Sequence, residues 1–186
     1  MAALDDSFVI CESSDMDFEE TAEFVMVCGF SDIFCSEYCG EMLSRHMEAD
    51  FHKVNLMTYI GPRASGNLPE SVQPGEIWNI IEKRFSPAFE PWYLDMSHRV
   101  RHGVSRCYSD GKAALVVQHE INGEALISQV CVLPELEGRG YASALLRNIC
   151  KNLSSEVQII CDDDLCGFYE KNDFIKSAEM YIITPR

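Results

Sequence analysis

Between Arg99 and Leu133 three strand-like stretches are separated by two turn signals, and this spacing constrains the fold of the 186-residue chain more than anything else in it. The first stretch, Arg99 to Tyr108, is closed by Ser109-Asp110-Gly111. The second, Lys112 to Ile121, has the core Ala-Ala-Leu-Val-Val. It ends at Asn122-Gly123, a dipeptide whose two positions tolerate positive φ and so suits a two-residue type I′ hairpin. The third is Glu124 to Leu133. The pattern predicts an antiparallel meander.

After Pro134 the period changes, and Tyr141, Ala144, Leu145, Ile149 and Leu153 fall at helical spacing. Val157 to Cys161 then reads as a buried strand, which after a crossover helix should run parallel to the third stretch. Asp162 to Asp164 introduce a further helix through Lys171, where an Asp can cap the orphan amides. Ser177 to Thr184 reads as a last strand. The order predicts an α/β (α+β) fold with a mixed, mostly antiparallel central sheet and flanking helices.

Upstream, Gly75 to Phe85 has the apolar stripe of a helix, and residues 61–75, with three prolines, suit a linker. The expected division is therefore 1–70, an acidic N-terminal segment, and 71–186, the domain that carries the meander. Residues 1–50 hold 13 of the 30 acidic residues and one basic residue, Arg45, for a charge of −12 out of −15. The remainder is close to neutral and has no basic stripe, so nucleic acid is not expected as a partner. Val9-Ile10-Cys11-Glu12, Phe24 and Cys28-Gly29-Phe30 loosely echo Ile159-Ile160-Cys161-Asp162, Phe168-Tyr169 and Asn172-Asp173-Phe174. The echo leaves chance and a degenerate duplicated half-domain equally open.

The start of the chain has no signal-like apolar region, and the apolar run Phe24 to Phe30 is far shorter than a membrane span. The nine cysteines are odd in number and lack Cys-x-x-Cys and His spacing, which predicts reduced thiols, no metal site and a cytoplasmic location.

Leu133-Pro134-Glu135-Leu136-Glu137-Gly138-Arg139-Gly140-Tyr141-Ala142-Ser143 places a glycine loop between a strand and a helix. Small residues let a backbone approach a diphosphate, and the exposed amides with the helix dipole favour negative charge there. Two phosphate-loop patterns fail: there is no Gly-Lys-Ser/Thr, and Ser143 takes the place of the third glycine of a dinucleotide loop.

The loop resembles that of the GNAT superfamily of N-acetyltransferases, Gln/Arg-x-x-Gly-x-Gly/Ala, matched here by Glu137-Gly138-Arg139-Gly140-Tyr141-Ala142. Gly167-Phe168-Tyr169-Glu170-Lys171-Asn172-Asp173-Phe174 is similar to the family's Phe-Tyr-Glu-Lys-x-Gly-Phe stretch. The resemblance covers roughly residues 75–184. Two positions depart from it: Glu137 stands where the family has Arg or Gln, and Asp173 where it has Gly.

The resemblance implies acetyl-CoA as co-substrate, with Glu137, Gly138, Arg139, Gly140, Tyr141, Ala142 and Ser143 around its diphosphate. Backbone groups near Val130 and Val132 would hold the pantetheine arm. Tyr169 would be catalytic, protonating the departing thiolate after direct attack by a primary amine. The implied acceptor is a small-molecule or peptide amine, and a homodimer is left open. Leu126, Ser128, His119, Glu120, Glu124, His98 and His102 are candidates around the base position, none of them assigned. The alternative class is a non-catalytic acyl-CoA-binding or regulatory module, motivated by Glu137 and the unassigned base.

Overall fold

The computed structural model describes residues 2–4, 7–64 and 66–186. Its contacts divide the chain into two compact units: Met1–Leu56 with Cys161–Cys166 and Lys176–Arg186, and Met57–Ile160 with Gly167–Ile175. Both are built on mixed sheets in which antiparallel pairs predominate.

In the first unit the strand order is β1 (Ala2–Leu4), β2 (Ser7–Ile10), β3 (Asp32–Ser36), β9 (Phe174–Thr184) and β4 (Asp50–Tyr59). β2 and β3 run parallel and are joined by α1 (Phe18–Cys28). That helix starts where the Asp17 carboxylate accepts from the amides of Glu19 and Glu20, both at 3.0 Å, satisfying donors that would otherwise be orphaned. α2 (Glu37–Leu43) follows β3 directly. Phe8, Ile10, Val25, Ile33, Leu43 and Ile183 form the core. A strand, helix, strand order also occurs further on, at Glu156–Cys161, Asp163–Glu170 and Phe174–Thr184.

In the second unit the order is β8 (Glu156–Cys161), β7 (Glu124–Val132), β6 (Ala113–Ile121) and β5 (Arg106–Ser109). β5, β6 and β7 form the expected meander, with Asn122 and Gly123 at φ +54° and +83° in the tight turn. β8 pairs with β7 in parallel, as a crossover through α5 (Tyr141–Asn152) requires. α3 (Pro74–Phe85) begins with Pro74, and the Glu76 carboxylate accepts from the Gln73 amide at 2.7 Å. Ile77, Ile80 and Ile81 of α3 pack with Ala114, Val116 and Cys131 on one face. Leu115 and Val117 point to the other face by strand alternation, and α5 covers it with Leu145, Leu146 and Ile149.

The first meander strand is much shorter than the sequence suggests. Residues Phe89–Arg101 form a helix, α4, and only Arg106–Ser109 pairs as β5. Trp92, Met96 and Val100 recur at helical spacing against the α3 core, and Arg99 bonds Asp95 one turn earlier at 2.8 Å. Gly103, at φ +71°, ends the segment. His98 and His102 therefore lie side by side at the exposed end of a helix, ring centroids 4.4 Å apart and tilted by 52°, and do not line a strand. The expected linker is pinned at both ends, by Arg63, which donates to the carbonyls of Cys150 and Leu153 at 3.0 and 3.1 Å, and by the Val72 amide, which donates to the Cys107 carbonyl at 2.9 Å.

Gly40 in α2 leaves no room for a methyl group, because a Cβ there would lie 2.6 and 2.9 Å from Cγ and Cβ of Tyr181 on β9. These atoms sit close to the backbone and cannot swing aside. Gly40→Ala gains about 1 kcal/mol of helix propensity but overpacks the contact by about 1–3 kcal/mol. Urea unfolding should show a lower midpoint at unchanged m-value, and an equal or higher midpoint would mean that α2 yields.

Candidate active site

Four residue pairs, Glu124↔Glu156 to Ile127↔Ile159, join β7 to β8, and β7 then continues to Val132 with β6 as its only ladder partner among the described residues. A bulge begins at this point. Gln129 pairs with Val116 and Ile127 with Val117, so Ser128 is the extra residue, and Gln118 is extra on β6. The Ser128 hydroxyl donates to Gln118 Oε1 at 3.2 Å. Val130 and Val132 pair with Leu115 and Ala113 on one side only, so their unit's other backbone edge is free for a ligand.

The edge leads into the glycine loop. The Leu133 amide donates to the Lys112 carbonyl at 3.0 Å, Pro134–Leu136 make a 3-10 turn, and exposed Glu137 follows. Gly138 and Gly140 have φ of +72° and +83°, which a side chain would strain, and a Cβ at either would meet nothing within 4 Å. The loop is thus both glycine-dependent and open. Gly140 is the N-cap of α5 and offers no side-chain oxygen, and the first turn holds no acid. The amides of Tyr141, Ala142 and Ser143 therefore have no intrahelical acceptors, which suits an anion. Arg139 is exposed beside them.

Tyr169 lies in α6 (Asp163–Glu170) and is 6% exposed. Its ring meets Phe168 at 5.0 Å and Phe174 at 5.6 Å, both edge-on. Asn172, buried just beyond that helix, donates to the Phe168 carbonyl at 2.7 Å and to the Ser143 hydroxyl at 3.2 Å. It thereby ties the Tyr169 segment to the first turn of α5. Sequence reading missed Asn172, for which only its place in the Phe-Tyr-Glu-Lys stretch was a signal.

The base candidates separate by their partners. Glu120 accepts from Arg106 and from the Ser155 hydroxyl, which commits it structurally. Glu124 is exposed at the hairpin, while Leu126 has no titratable group. His119 pairs across the ladder with Leu126 and is half-buried. Burial first, and the Arg99 guanidinium second, push its pKa below the usual 6.5, against a smaller pull upward from Glu124. It is therefore neutral at pH 7. Among the described residues no group of three His, Cys, Asp or Glu side chains is placed to hold a metal ion.

The model of the GNAT acetyltransferase family matches residues 73–174, more than half of the chain. The chain belongs to this family. No curated protein matches it. Among solved structures, a GNAT-family acetyltransferase from Colwellia psychrerythraea is similar at a TM-score of 0.61 and 12% identity, over 90% of this chain and 70% of that one. A GCN5-related N-acetyltransferase from Kribbella flavida is similar at 0.59 and 11%, over 91% and 76%. One from Sphaerobacter thermophilus is similar at 0.55 and 18%, over 82% and 58%, so this chain spans little more than half of it. The GNAT fold is that of an acyltransferase, and in this member the expected cofactor residues lie along β7, the loop and the first turn of α5. Among the described residues no helix is long and apolar enough to cross a membrane.

Because the folded-state pKa of His119 is depressed, its contribution to stability is complete above pH 6.5 and is lost as pH falls through 6.5 toward the folded value. NMR titration should place the His119 midpoint below 6.5. His119→Gln should flatten the acid-side fall in stability over this window. A His119 midpoint at or above 6.5 would remove its claim to be a neutral base.

Proposed function

We propose that the protein transfers an acetyl group from acetyl-CoA to a primary amine by direct attack within a ternary complex. The observation that carries this reading is the free β7 edge from Ser128 to Val132 running straight into an open, glycine-dependent loop whose helix amides lack acceptors. In a GNAT-family fold this edge is suited to the amide groups of a pantetheine arm, through the backbone at Val130 and Val132. Gly138, Arg139, Gly140, Tyr141, Ala142 and Ser143 would then hold the diphosphate. Glu137 sits at the same loop as a tolerated acid rather than a ligand.

A backbone amide on the free edge would polarise the thioester carbonyl and stabilise the developing oxyanion. His119 is the best placed base candidate by charge state, since a neutral imidazole can take the proton of an ammonium acceptor. Tyr169 would return a proton to the departing thiolate. The acceptor is a small-molecule or peptide amine. We also assign 71–186 as the acetyltransferase domain, 1–70 as a degenerate half of the same fold, and the cytoplasm as the compartment, the last because Cys35, Cys39, Cys107, Cys131, Cys150 and Cys161 are buried thiols. The exposed acid at Glu137 favours one second reading, a CoA-binding module without turnover.

Acetyl-CoA at a hundredfold excess over its Kd should stabilise the fold by about 2.7 kcal/mol, read as a rise in Tm. Gly140→Val should abolish that rise, because a branched side chain is strained at φ +83° and fills the ligand's approach. A wild-type Tm that does not respond to acetyl-CoA would sink both readings.

Tyr169→Phe keeps the packed ring and removes only the hydroxyl. With an established acceptor it should retain the acetyl-CoA thermal shift and lower thiol release by about 10²–10⁴-fold. Near-normal turnover would reject the general acid. Loss of folding would return Tyr169 to a purely packing role, and CoA binding without amine-dependent thiol release in the wild type would favour the non-catalytic module.

A further inference from the structure

The turn between β5 and β6 is held by its own side chains. Asp110 Oδ1 accepts from the amides of Lys112 and Ala113 at 2.9 and 2.8 Å, and the Ser109 hydroxyl accepts from the Gly111 amide at 3.0 Å. Gly111 supplies the positive φ, +80°, that the turn needs. Such side-chain-to-backbone bonds fix a turn without help from distant packing. Lys112 is consequently presented from a rigid corner.

That corner touches both ends of the glycine loop. The Lys112 carbonyl accepts from Leu133, where the loop begins. The Lys112 ammonium lies 4.4 Å from the centre of the ring of Tyr141, the first residue of α5, where the loop ends. Lys112 is exposed, and its partner among the described residues is this aromatic face and not a carboxylate. A cation seated on a ring keeps its N–H groups available for an anion.

The loop has a charge deficit that this cation answers. Glu137 occupies the position where the family resemblance expects Arg or Gln, so the loop itself carries Arg139 against Glu137 and Glu135. We propose that Lys112 is a phosphate ligand of the CoA site, supplying from the neighbouring hairpin the positive charge that position 137 lacks. Tyr141 is then the platform that orients it. The inference rests on the CoA reading above. It gives a direct role to a residue 25 positions upstream of Glu137, and it explains how an acid is tolerated there. The phosphate in reach is either the diphosphate or the 3′-phosphate of CoA.

Isothermal titration with CoA and with dephospho-CoA, which lacks the 3′-phosphate, tests this in wild type, Lys112→Met, Lys112→Arg, Glu137→Arg and the Lys112→Met/Glu137→Arg double variant. Lys112→Met should raise the Kd for CoA about 5–30-fold, the range for losing a charge-assisted contact at an exposed site, while Lys112→Arg stays within about threefold of wild type. An equal loss with dephospho-CoA assigns the contact to the diphosphate, and a loss confined to CoA assigns it to the 3′-phosphate. Glu137→Arg should improve the Lys112→Met background by a larger factor than it improves wild type, because one cation replaces the other. Wild-type binding with Lys112→Met unchanged within twofold, at both low and physiological salt, overturns the role of Lys112 and leaves the CoA reading standing. Absence of binding by the wild type overturns the CoA reading and this proposal with it. Should Lys112→Met lower the Tm of the free protein, the Lys112→Arg and Glu137→Arg comparisons decide.

Discussion

Ile127 and Ile159 are the last residues that β7 and β8 share, and the chemistry proposed for this chain depends on the ladder stopping there. A backbone donor or acceptor left without a partner inside a protein costs free energy, so an open strand edge persists only where something else holds the strand. On its other side β7 stays paired with β6 out to Val132↔Ala113, across the bulge at Ser128 and Gln118. α3 and α5 clamp the same strands from opposite faces with Ile77, Ile80 and Ile81 and with Leu145, Leu146 and Ile149. The edge is therefore open because its surroundings are rigid. A bulge serves this purpose well, since it bends one strand and increases its twist without breaking the ladder behind it.

Charge follows a separate logic in each unit. In the first, one local network stands out: Lys53 bridges Glu37 and Glu179, and Lys176 also pairs with Glu179. These lysines hold the Glu179 carboxyl down to about 2, far below its ordinary value. All four groups are solvent-accessible, so such a network shapes the surface more than it stabilises the fold. In the second unit the charges that the proposed site depends on are gathered around the glycine loop. There the backbone supplies dipoles through unpaired amides, and side chains set the remaining balance between Glu137, Arg139 and Lys112. A loop that relies on amides tolerates an acid more readily than one that relies on a side-chain cation, because the amides cannot be substituted away.

What was legible in the sequence was local. Asn122-Gly123 forces a turn whatever surrounds it, and the change from period two to period 3.6 after Pro134 marks α5 because both elements pack one face. The glycine loop was readable for the same reason, as both glycines are required by their own φ angles. Arg99 to Tyr108 misled because His98, Val100 and His102 fall two apart and allow an alternating reading, while the stripe Trp92, Met96, Val100 that makes α4 a helix begins well before it. Lys112 and Asn172 could not be found this way. Lys112 matters through Leu133 and Tyr141, and Asn172 through Ser143, and these partners are 21 to 29 residues away in the chain with no spacing rule to link them.

Tyr169 shows how packing and chemistry can ask for the same residue. Its ring continues an edge-on aromatic row with Phe174 and Tyr59, so the core alone accounts for a large aromatic side chain there. Phenylalanine would fill the same space, so ring packing alone does not choose between the two residues. A phenol is protonated at neutral pH. That also limits what it can do. A phenol with an ordinary pKa near 10 is a weaker acid than a thiol near 8.5, so complete transfer to a free thiolate is uphill by about 1.5 pKa units, or roughly 2 kcal/mol. The proposed donor is useful only while the carbon–sulfur bond is breaking. At that stage the sulfur's charge is partial, a hydrogen bond from a fixed phenol lowers the barrier, and solvent can supply the proton once the thiolate has left. A role confined to the transition state needs a rigid hydroxyl, and a ring wedged between Phe168 and Phe174, on a segment that Asn172 fastens to α5, has that rigidity.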